Sequence, residues 1–132
     1  MTNLMNALSQ VVSLLLAPPI SRTATLTGVA TDVLDYEGVG LVSLNAAAAT
    51  AGTTPTLNVK LQHSDTTTTG DFVDVTGATF TEVTDVAGTA GVQLLKFNVS
   101  DVQRYIRVIG TIAGSSAAFD FTATFLGVKK AS

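Results

Sequence analysis

The hydrophobic period of the chain changes near residue 20. Before it, Leu4, Leu8, Val11, Val12 and Leu15 recur at spacings of three and four, the interval that lines one stripe of a helix. Thr2 or Asn3 can cap such a helix. Pro18-Pro19 ends it, because proline lacks the amide and disfavours helix in the residue before it. Met5, Leu14 and Leu16 widen the stripe. The pattern predicts an N-terminal apolar arm or short helix over residues 1–20. Either packing on the protein's own sheet or docking onto a neighbouring subunit would bury it. As an arm, it should be removable without unfolding the β domain.

After Ile20 the period is two. Residues 23–33 alternate small polar and apolar side chains, and Val39 to Leu44 is an apolar run suited to a buried strand. Residues 46–54 are small. Leu57, Val59, Leu61 and His63 then point one way, and Asn58, Lys60, Gln62 and Ser64 the other. A polar loop, Asp65 to Asp71, leads into the short strand Phe72 to Val75, and residues 79–83 can form another. Gly88 to Gly91 turns the chain, and Val92 to Val99 returns. Arg104 to Ile112 and Ala117 to Val128 read as the last two strands, joined by a turn at Gly114-Ser115-Ser116. Short strands separated by turn signals predict an all-β, antiparallel, jelly-roll-like sandwich over residues 21–132.

Composition narrows what such a domain does. Twenty-one of the 132 residues are threonine, with one histidine, no cysteine and no tryptophan. Catalysis needs titratable or nucleophilic groups gathered in a pocket, and few are available here. Hydrophobic residues make up 46% and charged residues 13% of the chain, so the surface is short of charge and poorly protected against association. An oligomer is expected, with a trimer the first choice. The seven basic residues are scattered, which argues against direct nucleic-acid binding. The apolar run Val11 to Ala17 has no Lys or Arg before it and prolines where a cleavage site would stand. It therefore reads neither as a secretory signal nor as a membrane span.

Three stretches carry a family resemblance. In Leu57 to Val75, a strand ending Leu-Gln-His-Ser-Asp runs through a polar loop into Phe-Val-Asp-Val. Arg104 to Val108 reads Arg-Tyr-Ile-Arg-Val, and Asp35-Tyr36-Glu37-Gly38 precedes the second strand. Together they resemble head decoration, or cement, proteins of tailed phages. The resemblance covers roughly residues 22 to 128 and implies a small β domain on the exterior of an assembled virion, often trimeric. Its implied partner is the major capsid protein, and it would be made in the host cytoplasm.

Signals for other chemistry are weaker. Asp65, Asp71 and Asp74 with Ser64 offer oxygen ligands, but their spacing is not that of an EF-hand and suits a solvated turn. His63 lies alone on an apolar strand face, so neither a zinc site nor a catalytic triad is expected. No phosphate-binding glycine loop is present. Hence no catalytic residue, cofactor or metal is expected. The alternative class is a carbohydrate- or receptor-binding module, but sugar platforms need exposed aromatic rings, and there is no Trp and only Tyr36 and Tyr105. Arg104, Ile106 and Val108 share one face of a strand; Tyr105, Arg107 and Ile109 share the other. The arginines either pair with carboxylates such as Asp101 or Glu37, or contribute, with Tyr105, to a subunit contact. The expected interface is Leu4, Leu8, Val11, Leu15, Tyr36, Arg104, Tyr105 and Arg107.

Overall fold

The computed structural model describes residues 11–130. Eight strands follow in order: β1 (Val11–Arg22), β2 (Leu26–Thr27), β3 (Thr31–Asp32), β4 (Tyr36–Ala46), β5 (Ala51–Ser64), β6 (Val73–Thr79), β7 (Gly91–Asn98) and β8 (Tyr105–Lys129). They form two antiparallel layers closed nearly into a barrel. One layer runs β1–β8–β4–β7, and the other has β2 and β3 beside β8, then β5 and β6. The all-β, jelly-roll-like expectation holds.

The N-terminal helix does not form within the described part of the segment. Val11–Arg22 is β1, paired along β8 from Val11↔Val128 to Arg22↔Phe119. Spacings of three and four arose because both faces of this strand carry apolar residues. Val12 and Leu14 pack against the core and Leu16 and Ala17 lie in it, while Val11 and Leu15 face outward. Pro18 and Pro19 fall within a register shift between Ala17 and Ile20, where an edge strand tolerates a residue without a ladder donor. The strand therefore runs straight through position 20. Leu4 and Leu8 lie outside the described residues.

The second departure is at the C-terminal end. Gly114-Ser115-Ser116 is not a hairpin turn; β8 continues through it as a single strand from Tyr105 to Lys129. Its first half pairs with β5 and its second with β1 and β4, so it crosses from one layer to the other. The bend needs left-handed backbone at Gly114 (φ 107°) and Ser116 (φ 53°), matched on β5 by Gly52 (φ 109°) and Thr54 (φ 48°). Strands that switch sheets through such bends make the corners of a sandwich. Residues 23–33 are also less regular than their alternation suggests. Gly28 separates β2 from β3, and a Cβ there would sit 2.9 Å from the carbonyl oxygens of Leu16 and Val108.

Between the layers lie Leu16, Val42, Leu44 and Phe125 from one side and Leu57, Leu61, Ile106 and Val108 from the other, with Phe119 at the crossing. Leu57, Val59 and Leu61 face inward as their alternation requires. His63 follows them at the rim, where its Nδ1 accepts the Gln103 N–H at 3.1 Å.

Candidate functional site

The residues expected to form one interface fall in separate places. Val11 and Leu15 project from the outer face of the β1–β8–β4–β7 sheet. Tyr36 is buried, its ring edge-on to Phe125 at 5.3 Å, and burial, then the neighbouring Asp35 charge, raise the pKa of its hydroxyl. Arg104 bonds Asp32 through Nη2 at 2.9 Å and Nε at 3.2 Å, and lies over the Tyr105 ring at 5.1 Å. Its carboxylate partner is thus Asp32 and not Asp101 or Glu37. Arg107 has no carboxylate partner among the described residues: it donates to Gln62 Oε1 at 2.9 Å and the Thr69 carbonyl at 3.3 Å, with Phe72 stacked 4.1 Å away. Only 7% exposed, it pins the Asp65–Phe72 loop onto β5 and β8. Burial lowers its pKa.

The loop aspartates turn to partners within the chain. Asp65 accepts from Gln103, Asp71 from Thr66, and Asp74 from Lys60 and Gln62, each of the last two at 2.9 Å. Hydrogen bonds from Gln62 and then Lys60 lower the Asp74 pKa, as the bond from Arg104 lowers that of Asp32. A carboxyl whose pKa is depressed by folding adds stability above its unfolded value near 4, and that contribution is lost as pH falls through the folded value. Melting temperature is therefore expected to hold from neutrality to about pH 5 and decline gently below it. Both pairs are exposed, so the decline is shallow. Asp32→Asn should flatten part of it; an unchanged acid profile would show that the pair adds nothing.

What the sequence pattern did not reveal is a surface. Register places Val11, Ser13 and Leu15 of β1 beside Val128, Leu126 and Thr124 of β8. Leu126 and Thr124 neighbour Leu41 and Ser43 of β4, which in turn neighbour Lys96 and Leu94 of β7. All point away from the core. Val11, Leu15, Val39, Val92, Leu94 and Val128 on this face are each well exposed, Leu94 at 60%. Lys96 is the charge within the face, and Glu37 and Asp120 lie towards its ends. Four strands about 4.8 Å apart, seven residues deep at about 3.3 Å each, span roughly 450 Å². Within that area the exposed aliphatic side chains are interspersed with Ser13, Ser43, Thr124 and Lys96, and the largest apolar patch on a small domain is often functional. The outer face of the other sheet differs: Lys60 and Gln62 both donate to Asp74, Arg107 donates to Gln62, and Asn58 separately donates to Glu82. The signal for the apolar face was present in Val92-Gln93-Leu94-Leu95-Lys96-Phe97 and Val39 to Leu44, where apolar residues occupy both faces of a strand.

A cleft of about 440 Å³ opens at one end, lined among others by Tyr36, Glu37, Asp65, Gln103, Arg104 and Lys130. Its tyrosine is packed edge-on against Phe125, and Tyr105 nearby is covered by Arg104. Tyr36 is buried, and one face of Tyr105 lies under Arg104, which leaves little open ring for a sugar to stack on.

No family model and no curated protein sequence matches the chain. Among solved structures it is similar to the SPBc2 prophage-derived protein YomS, with TM-score 0.46 and 7% identity over 89% of this chain and 93% of that one. A protein of the disulfide-linked pili formed by Bacillus endospore appendages gives TM-score 0.49 and 14% identity over 92% and 90%. VP2 of the infectious bursal disease virus subviral particle gives 0.48 and 10% over 90% of this chain and 32% of that one, so the chain spans about a third of VP2. Likeness at these levels carries no functional weight.

Proposed function

We propose that this chain is a structural protein of a tailed-phage virion, which binds the exterior of the assembled capsid and stabilises it without catalysis. The observation that carries the reading is the aliphatic outer face of the β1–β8–β4–β7 sheet, set against a polar outer face on the other sheet. A domain so divided has one side suited to a protein lattice and one suited to water. The resemblance of Leu57 to Val75 and Arg104 to Val108 to head decoration proteins points the same way and names the partner as the major capsid protein. The covered tyrosines weigh against the carbohydrate-binding alternative.

Energetics favour attachment at many points. Covering six half-exposed aliphatic side chains contributes on the order of 5 kcal/mol, which association costs of similar size or larger offset. A single contact is therefore weak, and a lattice of equivalent contacts is what makes it firm. Co-sedimentation with purified empty heads tests this: saturable binding at a fixed ratio to the capsid protein is expected, and protein left entirely in the supernatant at every concentration would refute it.

A further inference from the structure

The β1–β8–β4–β7 sheet ends on β1, and among the described residues Val11–Leu15 is paired on one side only, to β8. From Leu16 onward the other side is engaged, since the Leu16 carbonyl accepts the Val29 N–H at 3.0 Å. An open edge is a row of unpaired donors and acceptors, and proteins usually guard it with charge, proline or a bulge. Val-Val-Ser-Leu-Leu has no charge and no proline, and the bulges and prolines of β1 come only after Leu15. The opposite edge is guarded. There the Gln93 side chain of β7 bonds Thr81 N–H at 2.8 Å and its carbonyl at 2.9 Å, with Lys96 further along the strand. On the other sheet, edge strand β6 bears Asp74, paired with Lys60, and a register shift in its ladder.

We propose that the open edge of β1 pairs with β1 of a second copy of this chain, antiparallel, about a two-fold axis perpendicular to the sheet. Such a contact is self-complementary. Because the segment is uncharged, no like charges meet when it faces itself. Using all five free residues sets Ser13 opposite Ser13 and Val11 opposite Leu15. Directly opposed residues of an antiparallel pair point to the same side, so Val11 and Leu15 form aliphatic cross-strand pairs at the seam. The same axis places both aliphatic outer faces on one side, as one continuous eight-stranded surface. Edge pairing does not depend on what that surface binds; its value as a bivalent lattice contact rests on the proposed capsid role. It is also distinct from the three-fold association implied by the family resemblance.

The absence of cysteine from the sequence makes the test direct. Opposed residues in an antiparallel pair lie about 4.5–5.5 Å apart at Cα, within disulfide range. In the full chain under mild oxidation, Ser13→Cys is expected to convert to a cross-linked dimer. Thr111→Cys, on the outer face of the other sheet, and Asn45→Cys, within the aliphatic face, should stay monomeric on non-reducing gels. Sedimentation of the unmodified protein should give the mass of two chains across a dilution series. Ser13→Lys should give one, and an equal mixture of Ser13→Lys with Ser13→Glu should give two again. If lysine at the edge impairs folding, the cross-link decides alone, since it puts no charge there. A monomeric or trimeric mass for the unmodified protein, as would follow if residues 1–10 of the same chain covered the edge, would overturn the proposal. So would Ser13→Cys linking no faster than Thr111→Cys, or Asn45→Cys linking in its place.

Discussion

A chain cut back to begin at residue 23 is expected to lose its cooperative unfolding transition, and not merely to assemble less well. β1 supplies one wall of the core: Leu16 and Ala17 are fully buried and Val12 and Leu14 pack beside them. Removing the strand also strips β8 of one of its two partners along Phe119 to Val128 and leaves that side of the ladder open. Leu16→Ala alone should cost about 2–5 kcal/mol, the usual range for a fully buried leucine. Losing the strand sums several such terms against a total stability of only about 5–15 kcal/mol. Thermal melting followed by circular dichroism reads both. A truncated chain that melts sharply near the parent temperature would show that β1 is an appended arm after all.

The second large effect is expected at the corner where β5 and β8 bend together. A Cβ on Gly52 would stand 2.6 Å from Ala117 Cα and 2.9 Å from both Ala117 N and Ser115 O, all backbone atoms that cannot swing aside. Its φ of 109° is moreover a conformation that side chains rarely adopt. Gly52→Ala should therefore destabilise by roughly 3 kcal/mol or more, from strain and overlap together. Gly38→Ala separates the two causes. Gly38 has φ 74°, but a methyl added there would meet nothing within 4 Å, so strain alone remains, of order 1 kcal/mol. Equal losses at the two sites would mean that the corner does not need its close backbone approach.

These two regions also mark where the sequence was least legible. Alternation found β5, where Leu57, Val59 and Leu61 face inward, while β4 was legible as an apolar run and β7 as the strand that returns after a glycine turn. It failed on β1 because Leu15 and Val11 fill the outward positions that polar residues usually mark, and the resulting spacings mimic a helix. It failed on β8 because Gly-Ser-Ser signals a reversal in most chains, whereas here the same small residues let a strand change layers. The failure on β1 also concealed part of the surface proposed to bind. The outward leucines and valines that spoiled the periodicity are the ones that build the aliphatic face. The tyrosines and arginines expected at an interface have partners in their own chain: Tyr36 packs on Phe125, Tyr105 lies beside Arg104, Arg104 pairs with Asp32, and Arg107 bonds Gln62 and stacks on Phe72. Side-chain type pointed to those residues; only the cross-strand register shows which are already occupied.

The central claim, that the aliphatic face is what meets the shell, is tested most directly by head binding of two single-charge variants. Leu94→Glu places a carboxylate on β7 within that face and far from the β1 edge, and Thr111→Glu places one on the outer face of the other sheet. Measured by co-sedimentation with empty heads, Leu94→Glu should weaken binding by about tenfold or more per contact, while Thr111→Glu binds like the parent and both melt like it. Parent-level binding by Leu94→Glu, or a loss confined to Thr111→Glu, would contradict the account.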